Sequence, residues 1–337
     1  MKKYGVALIG CGQMGEVHLS RIYCKENVCI KFLCDKNLSK AEDLKRKYFG
    51  ENISDNAEEC ISSKDVDIVI IATYPSTHLE LLKLCLENGK HIICEKPITN
   101  NLEDGREFVN LVKQHPECKV LIGHILRHNI TYKTVATMIQ NGDIGFPIIM
   151  RMVQNHHTMN WNRYLNLIKE TSPIIDCGVH YMDVMRWFTG EEITEVSAIG
   201  SRTEKDVPED KYNYGFVTVK LSNGSIGFYE AGWGNTISAD NLKEFIGPKG
   251  RIKITYQKDR PCHQEEGDLV EYYTYPEKEY KMINIQSDRK PTDVQFDYLV
   301  DMIEKGIEAE PTIEDVFDSF FVVLEADKEI KKELKGR

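Results

Sequence analysis

Residues 4–15 constrain the fold more than any other stretch of this chain. A short, largely apolar run over residues 4–9 enters Gly10-Cys11-Gly12-Gln13-Met14-Gly15 without a break, and residues 16–23 beyond it can be helical. The chemistry of a G-x-G-x-x-G turn requires this order of elements. The first glycine permits the tight turn, the second lets the backbone approach a pyrophosphate, and the third allows close helix packing. The helix N-terminus adds amide donors and the positive end of its dipole. Glycine-rich turns are common, so the hexapeptide alone is a weak signal. Its context is stronger, because residues 28–33 form a second strand that leads to Asp35, where a ribose-binding acid is expected. A carboxylate there accepts hydrogen bonds from ribose hydroxyls and repels a 2′-phosphate, which favours NAD. Lys36 softens that preference, since an ammonium can receive the phosphate of NADP. Gly10, Gly12, Gln13, Met14, Gly15, Asp35 and Lys36 are the first candidate cofactor contacts.

Strands and helices continue to alternate. Helices are expected over residues 37–48 and 56–62, and residues 67–72 read as a buried strand. The turn Thr73-Tyr74-Pro75-Ser76-Thr77-His78 follows, with Ser76 or Thr77 as the cap of a helix over residues 79–87 and Gly89 as its stop. Next comes His91-Ile92-Ile93-Cys94-Glu95-Lys96-Pro97, a buried strand that ends abruptly in a carboxylate, an ammonium and a proline. Lysine and glutamate are seldom buried unpaired, so two charges at the mouth of such a strand suggest a site, although a solvated strand end is the plainer alternative. A helix over 99–114 and a strand over 119–122 complete a doubly wound parallel sheet. Ligands of such sheets lie beyond the carboxyl ends of the strands, where Gly10, Asp35, Thr73 and Lys96 all fall.

From about Arg127 the pattern changes. Residues 131–141 read as a helix, and residues 148–154, 195–201, 214–221, 225–229, 245–246 and 251–256 as strands, several with period-2 alternation. Asn223-Gly224 marks a hairpin between two of them. Residues 265–280 read as surface loops or an edge strand. Thr312-Ile313-Glu314-Asp315 resembles a capping box and opens a final helix to about residue 334. The expected fold class is an α/β domain with a doubly wound parallel sheet over residues 1–125, then an α+β domain with a large, mainly antiparallel, open-faced sheet over residues 126–337. Two domains suit a length of 337 residues. A net charge of −10 argues against nucleic-acid or anionic-membrane surfaces, and no apolar run has the length of a bilayer span. The start of the chain, with Lys2 and Lys3 before a glycine-broken apolar run, reads as a first strand and not as a leader. Ten cysteines without a C-x-x-C pair are expected to be reduced, which points to a cytoplasmic protein.

A second stretch with chemical content is 171–183, Thr-Ser-Pro-Ile-Ile-Asp-Cys-Gly-Val-His-Tyr-Met-Asp. Ser172 as N-cap and Pro173 at the first helical position start a helix that Gly190 ends. Asp176, His180 and Asp183 then share one face by i, i+4, i+7 spacing. A histidine with a carboxylate one turn away is a candidate general base, while an Asp-His surface pair is the plainer alternative. A metal site using His156 or His157 ranks last, because no spacing enforces it; no metal is expected.

Together these motifs resemble the glucose-fructose oxidoreductase/inositol dehydrogenase/MocA oxidoreductases. The resemblance covers nearly the whole chain: the glycine turn with His18, Ala72-Thr73-Tyr74-Pro75 with His78, Gly89-Lys90-His91 leading into Glu95-Lys96-Pro97, the turn over 139–147, and Asp176-x-Gly178-x-x-x-x-Asp183 around His180. It implies that Ala72, Thr73, Tyr74, Pro75, His78 and Glu95 join the cofactor contacts. It implies too that Lys96 meets substrate and nicotinamide ribose, that His180 transfers the proton with Asp176 in support, and that the Lys96–Pro97 bond is often cis in relatives. Arg127 resembles a substrate-touching arginine, and His156, His157, Asn160 and Trp161 occupy the variable substrate loop. The implied function is hydride transfer between NAD(P) and a secondary hydroxyl or ketone of a sugar, inositol or related polyol. Assembly as a homodimer or homotetramer through the second-domain sheet is also implied. The alternative is a catalytically silent, cofactor-binding sensor or regulator. Short-chain and medium-chain dehydrogenases fit less well, on length and on missing zinc-ligand spacing respectively. One departure is Glu170-Thr171-Ser172-Pro173, where many relatives carry a glycine-rich run; it bears on substrate identity.

Overall fold

The computed structural model describes residues 2–157, 160–260 and 266–335. The chain forms two compact units, Met1–His128 with Lys290–Phe317, and Asn129–Arg289 with Asp318–Arg337.

The first unit begins β1 (Tyr4–Ile9), α1 (Gln13–Ile22), β2 (Val28–Cys34), α2 (Leu38–Tyr48), β3 (Asn52–Ser54), α3 (Ala57–Ser62), β4 (Ile68–Ile71), α4 (His78–Glu87), β5 (His91–Cys94), α5 (Leu102–Gln114) and β6 (Val120–Ile122). The six strands form one parallel sheet in the order β3-β2-β1-β4-β5-β6. The inner strands β1 and β4 are buried at every position, as expected of apolar runs covered on both faces by helices. Strand order reverses between β1 and β4, which opens a crevice beyond their carboxyl ends. Asparagines set several helix starts: Asn37 accepts from the Ser39 amide at 3.2 Å and Asn101 from that of Asp104 at 2.9 Å. The Asn101 cap places the start of α5 at Leu102, not at residue 99. The side chain of Thr77, the N-cap of α4, makes no capping hydrogen bond. Pro75 starts a short 3-10 turn, and the Thr77 hydroxyl is used inside it, donating to the Tyr74 carbonyl at 2.9 Å.

The second unit contains α6 (Ile130–Gln140), β7 (Ile149–His157), α7 (Trp161–Glu170), α8 (Pro173–Thr189), β8 (Ile193–Ser201), β9 (Tyr214–Leu221), β10 (Ile226–Gly234), β11 (Lys243–Gly247), β12 (Gly250–Thr255), β13 (Asp268–Thr274) and β14 (Tyr280–Ile285). Its eight strands run in the order β14-β13-β12-β11-β7-β10-β9-β8. Every pairing is antiparallel except β7 with β10. The hairpin at Asn223-Gly224 forms as expected, with Gly224 at φ +84°. Strand β10 extends beyond residue 229 to Gly234, and its alternation buries Tyr229, Ala231 and Trp233 on one face. Helix α8 packs against that sheet through β10 and β9. The stretch read as loops or edge strand contains β13, and the edge strand β14 begins at its last residue, Tyr280.

Two helices complete the chain, α9 (Thr292–Lys305) and α10 (Ile313–Lys335). The expected single join at residues 125/126 omits what α9 does. Phe296, Leu299, Val300 and Met302 are buried in the core of the first unit, beside Tyr4, Val6, Leu8, Leu19 and Ile22. At about 1.5–3 kcal/mol for each buried apolar side chain, they bind this segment to the nucleotide sheet. The capping box is present: the Asp315 amide donates to Thr312 Oγ1 at 3.1 Å, and the Thr312 hydroxyl donates to Asp315 Oδ2 at 2.8 Å. No described helix is long and apolar enough to cross a membrane, and the nine described cysteines are free thiols.

Candidate active site

At the end of β1, each glycine of the turn has its own constraint. Gly10 has φ +99°, and a Cβ on it would stand 2.5 Å from the Ala72 carbonyl oxygen. One on Gly15 would stand 2.1 Å from the Gly10 carbonyl oxygen, so α1 is pressed against the turn. One on Gly12 would meet nothing within 4 Å. Open space thus lies before the first-turn amides of α1, whose N-cap Gly12 brings no side-chain acceptor to them. Backbone donors at a helix N-terminus, facing an open cradle, suit a pyrophosphate. Asp35, half-buried beyond β2, accepts from the Cys11 amide at 2.9 Å and the Asn37 amide at 2.9 Å. Its carboxylate therefore stands against the glycine turn, where a ribose would lie, and Lys36 beside it is exposed. These residues fit NAD.

Beyond β4, Ala72 and Thr73 are half-buried and Tyr74 is 48% exposed, so this turn has surface to offer a ligand. Pro75 and His78 differ in being buried. The two ring nitrogens of His78 lie 3.0 Å from the Pro97 carbonyl oxygen and 3.3 Å from that of Thr73, and burial holds the imidazole below its usual pKa. His78 ties the turn after β4 to the turn after β5.

At the end of β5, the Glu95 amide donates to the Ile71 carbonyl at 2.9 Å and the Gly123 amide to that of Cys94 at 2.8 Å. These bonds fix the backbone on which Lys96 stands, and the Lys96–Pro97 bond is cis. Lys96 is half-buried. Glu95, expected among the cofactor contacts, is only 6% exposed and faces His18 of α1, with Nε2 to Oε1 at 2.8 Å. Sequence reasoning also missed Lys290, whose Nζ lies 3.3 Å from Met14 Sδ in the glycine turn. Arg127 is 8% exposed, and its guanidinium reaches Glu310 at 3.5 Å.

In the second unit, Ser172 caps α8 by accepting from the Ile175 amide at 3.2 Å, and Gly190 ends the helix at φ +69°. Almost every residue between them is buried. Asp176 and His180, one turn apart, are among the few that keep partial exposure, whereas Asp183 is 1% exposed. Gly178 faces inward: a Cβ there would stand 3.1 Å from Val323 Cγ1 and 3.2 Å from Tyr229 Cε1. The glycine thus lets α8 lie close to the sheet and leaves the Asp176–His180 strip outward. Near that strip, burial pushes the His156 imidazole down to about 4, opposed by the charge of Asp176; Tyr164 Oη lies 3.3 Å from its Nδ1. Trp161, expected in the variable substrate loop, opens α7 and packs with Tyr164 and Leu165 against Ile168, Val207 and Trp233. Asn160 caps the same helix, accepting from the Arg163 amide at 3.3 Å. His157 ends β7, and its side chain lies outside the described residues.

Two further residues lie beneath this surface. Period-2 alternation along β10 marks Tyr229 as inward. Lys243 on β11 looks like a solvated lysine, yet it is wholly buried, with Nζ 2.5 Å from the Val153 carbonyl oxygen and 4.7 Å from the Tyr181 ring centroid. Among the described residues no group of three or more His, Cys, Asp or Glu side chains is arranged to hold a metal ion.

A parallel sheet in this order, with an open glycine cradle and an acid placed for a ribose, defines a dinucleotide-binding domain. The chain belongs to the GFO/IDH/MocA oxidoreductases: residues 4–124 match the family's NAD-binding Rossmann domain and residues 132–253 its C-terminal domain. Among its relatives, Thermotoga maritima myo-inositol 2-dehydrogenase is 24% identical over 274 residues, 80% of this chain and 81% of that one. Bacillus subtilis scyllo-inositol 2-dehydrogenase (NAD(+)) is 30% identical over 259 residues, 74% of this chain and 72% of that one. The crystal structure of Lactobacillus casei scyllo-inositol dehydrogenase with bound NAD(H) and scyllo-inositol has the same fold, with TM-score 0.78 at 22% identity over 98% of both chains.

Proposed function

We propose that this protein is an NAD-dependent dehydrogenase that interconverts a secondary hydroxyl and a ketone on a cyclic polyol, an inositol or a related sugar. The observation that carries the reading is the strip on α8 where Asp176 and His180 stay accessible, one turn apart, on an otherwise buried helix. Alcohol oxidation removes a proton and a hydride, so a base must sit at the hydroxyl. His180 takes the proton, and Asp176, one helical turn away, orients the imidazole. The ammonium of Lys96 stabilises the developing alkoxide. Bound nicotinamide supplies the hydride acceptor. The names of the relatives support a polyol ring as the substrate.

Fluorescence titration with NADH and NADPH, followed by turnover on a panel of inositols and sugars, tests the assignment. The expected result is preferential NADH binding and turnover of at least one cyclic polyol. His180→Ala is expected to lower kcat roughly 10²–10⁴-fold while leaving NADH affinity nearly unchanged. Normal rates in that variant would sink the base assignment, and tight NADH binding with no turnover across the panel would favour the sensor. Self-association through the eight-stranded sheet belongs to the same reading. Ile149 and its cross-strand neighbour Ile226 are 43% and 47% exposed, and Ile199 is 60% exposed. Light scattering is expected to return a multiple of the 38.8 kDa chain mass.

A further inference from the structure

The glycine turn meets a cation from the far end of the chain. Lys290 Nζ lies 3.3 Å from Met14 Sδ, a contact between residues 276 apart in sequence. Both residues belong to the nucleotide-binding unit. The approach is fixed by the backbone. Thr292, wholly buried at the start of α9, donates its hydroxyl to the Val17 carbonyl of α1 at 3.4 Å, and its amide donates to the Lys290 carbonyl at 2.8 Å. Further along, both carboxylate oxygens of Asp297 lie 2.8 Å from Lys25 Nζ, just beyond the end of α1. With Thr292 against Val17 and Asp297 against Lys25, α9 runs in the same direction as α1. The residues before Thr292 therefore stand beside the N-terminal end of α1, where Lys290 meets its first turn.

Met14 ties that ammonium to the cradle. The Glu16 amide makes the first bond of the helix, to the Gly12 carbonyl at 2.9 Å, so the amides of Gln13, Met14 and Gly15 precede the helical ladder. Met14 thus carries a phosphate-suited donor on its backbone and the lysine contact on its side chain. Three bonds separate its Cα from Sδ, which puts the ammonium within about 8 Å of that backbone, about one Debye length at physiological salt. A lysine head on its flexible stem can swing to an oxyanion over that distance. Charge calls for it too. The chain carries a net charge of −10, and Asp35 brings a carboxylate to the same turn through the Cys11 amide, whereas a dinucleotide's diphosphate is itself anionic.

We propose that Lys290 is a cofactor-binding residue: its ammonium, held at the first turn of α1 against Met14, pairs with the diphosphate of the dinucleotide beside the helix amides. The amides supply direction and the lysine supplies charge. Only the family's nucleotide is needed for this role, which serves a dehydrogenase and a silent cofactor-binding sensor alike.

Lys290→Met keeps an apolar stem against Met14 and removes the charge. Binding to the full chain is read by fluorescence for NADH, with ADP-ribose and adenosine as competitors. NADH and ADP-ribose, which carry the diphosphate, are expected to bind roughly tenfold more weakly, and adenosine, which lacks it, within about twofold of wild type. Added salt is expected to weaken NADH binding less steeply in the variant, because one screened pair is gone. Wild-type NADH affinity in Lys290→Met overturns the proposal. An equal loss for adenosine overturns it as well, since the side chain would then shape the turn without meeting the phosphates. Should the variant not fold, the wild-type protein still decides. Acetylation of Lys290 by acetic anhydride, followed by peptide mass spectrometry, is expected to slow severalfold with saturating ADP-ribose and to be unaffected by adenosine. Equal protection by adenosine, or none by ADP-ribose, overturns the proposal. None of these measurements uses turnover, so failure of the polyol assignment and failure of this inference are distinguishable.

Discussion

Lys243 shows how far one side chain can depart from what its type suggests. Burial pushes its amine down to about 7, opposed by the charge of Asp240; its Nζ lies by the Val153 carbonyl and the rings of Tyr181 and Tyr256. Between that value and the ordinary lysine value the unfolded chain binds a proton that the folded chain does not. Stability contributed at this position therefore rises with pH through that window, and the cost of charging the buried amine is fully present below it. Lys243→Met is expected to stabilise the protein most under acid conditions. Its advantage over wild type shrinks by about 2–3 kcal/mol on going from neutral pH to two units above it, as chemical denaturation at each pH would show. Asp35 allows a second test. Its carboxylate stands against the glycine turn, so Asp35→Ser is expected to raise NADPH affinity roughly tenfold, the effect of removing about 1.4 kcal/mol of like-charge repulsion. Fluorescence titration reads this directly, and equal NADPH affinity in both proteins would show that another group selects the cofactor.

The turn between β1 and α1 separates two roles that glycine plays within six residues. Gly12→Ala puts a methyl group into open space, so the variant is expected to keep its thermal midpoint and lose NADH affinity. Gly15→Ala drives a methyl group onto the Gly10 carbonyl, so a loss of about 1–3 kcal/mol of stability is expected, seen as a lower midpoint without cofactor. Equal stability loss in both would mean that the cradle at Gly12 is packing and not a ligand site. These roles were legible because glycine acts locally. The parallel sheet was legible for a similar reason, since strands buried on both faces are unbroken apolar runs. Other elements were not. Helix α7 follows β7 closely and is not among the helices expected from the sequence, because its buried side meets Val207 and Trp233, which are distant in sequence. The Glu95–His18 contact spans 77 residues, and no spacing rule connects them. Asp176 and His180 were visible from i, i+4 spacing, but that Asp183 on the same face would be buried depends on what packs there.

The nucleotide-binding unit is not a contiguous piece of chain. Residues up to His128 build the sheet, but part of the core lies in α9, and the Gln295 side chain donates to the Ile122 carbonyl at 3.2 Å. A fragment ending at residue 128 lacks four buried apolar side chains worth roughly 6–12 kcal/mol together, comparable to the net stability of a domain. That fragment is expected to lack cooperative thermal unfolding and NADH binding. The same fragment joined to residues 290–317 through a flexible linker is expected to recover both, and cooperative folding of the shorter piece would show that α9 is dispensable. Sequence reading placed one boundary and missed the return, because α9 carries no mark of which sheet it will cover. This topology also sets the order of events on the ribosome. All eight strands of the second sheet have been synthesised before α9 appears, so the strands made first wait longest for their cover, and the last helix closes the other unit after that. Domains commonly fold from the N-terminus as they emerge. Here the core that holds Leu8 and Ile22 stays incomplete through most of translation, because Phe296, Leu299, Val300 and Met302 join it last.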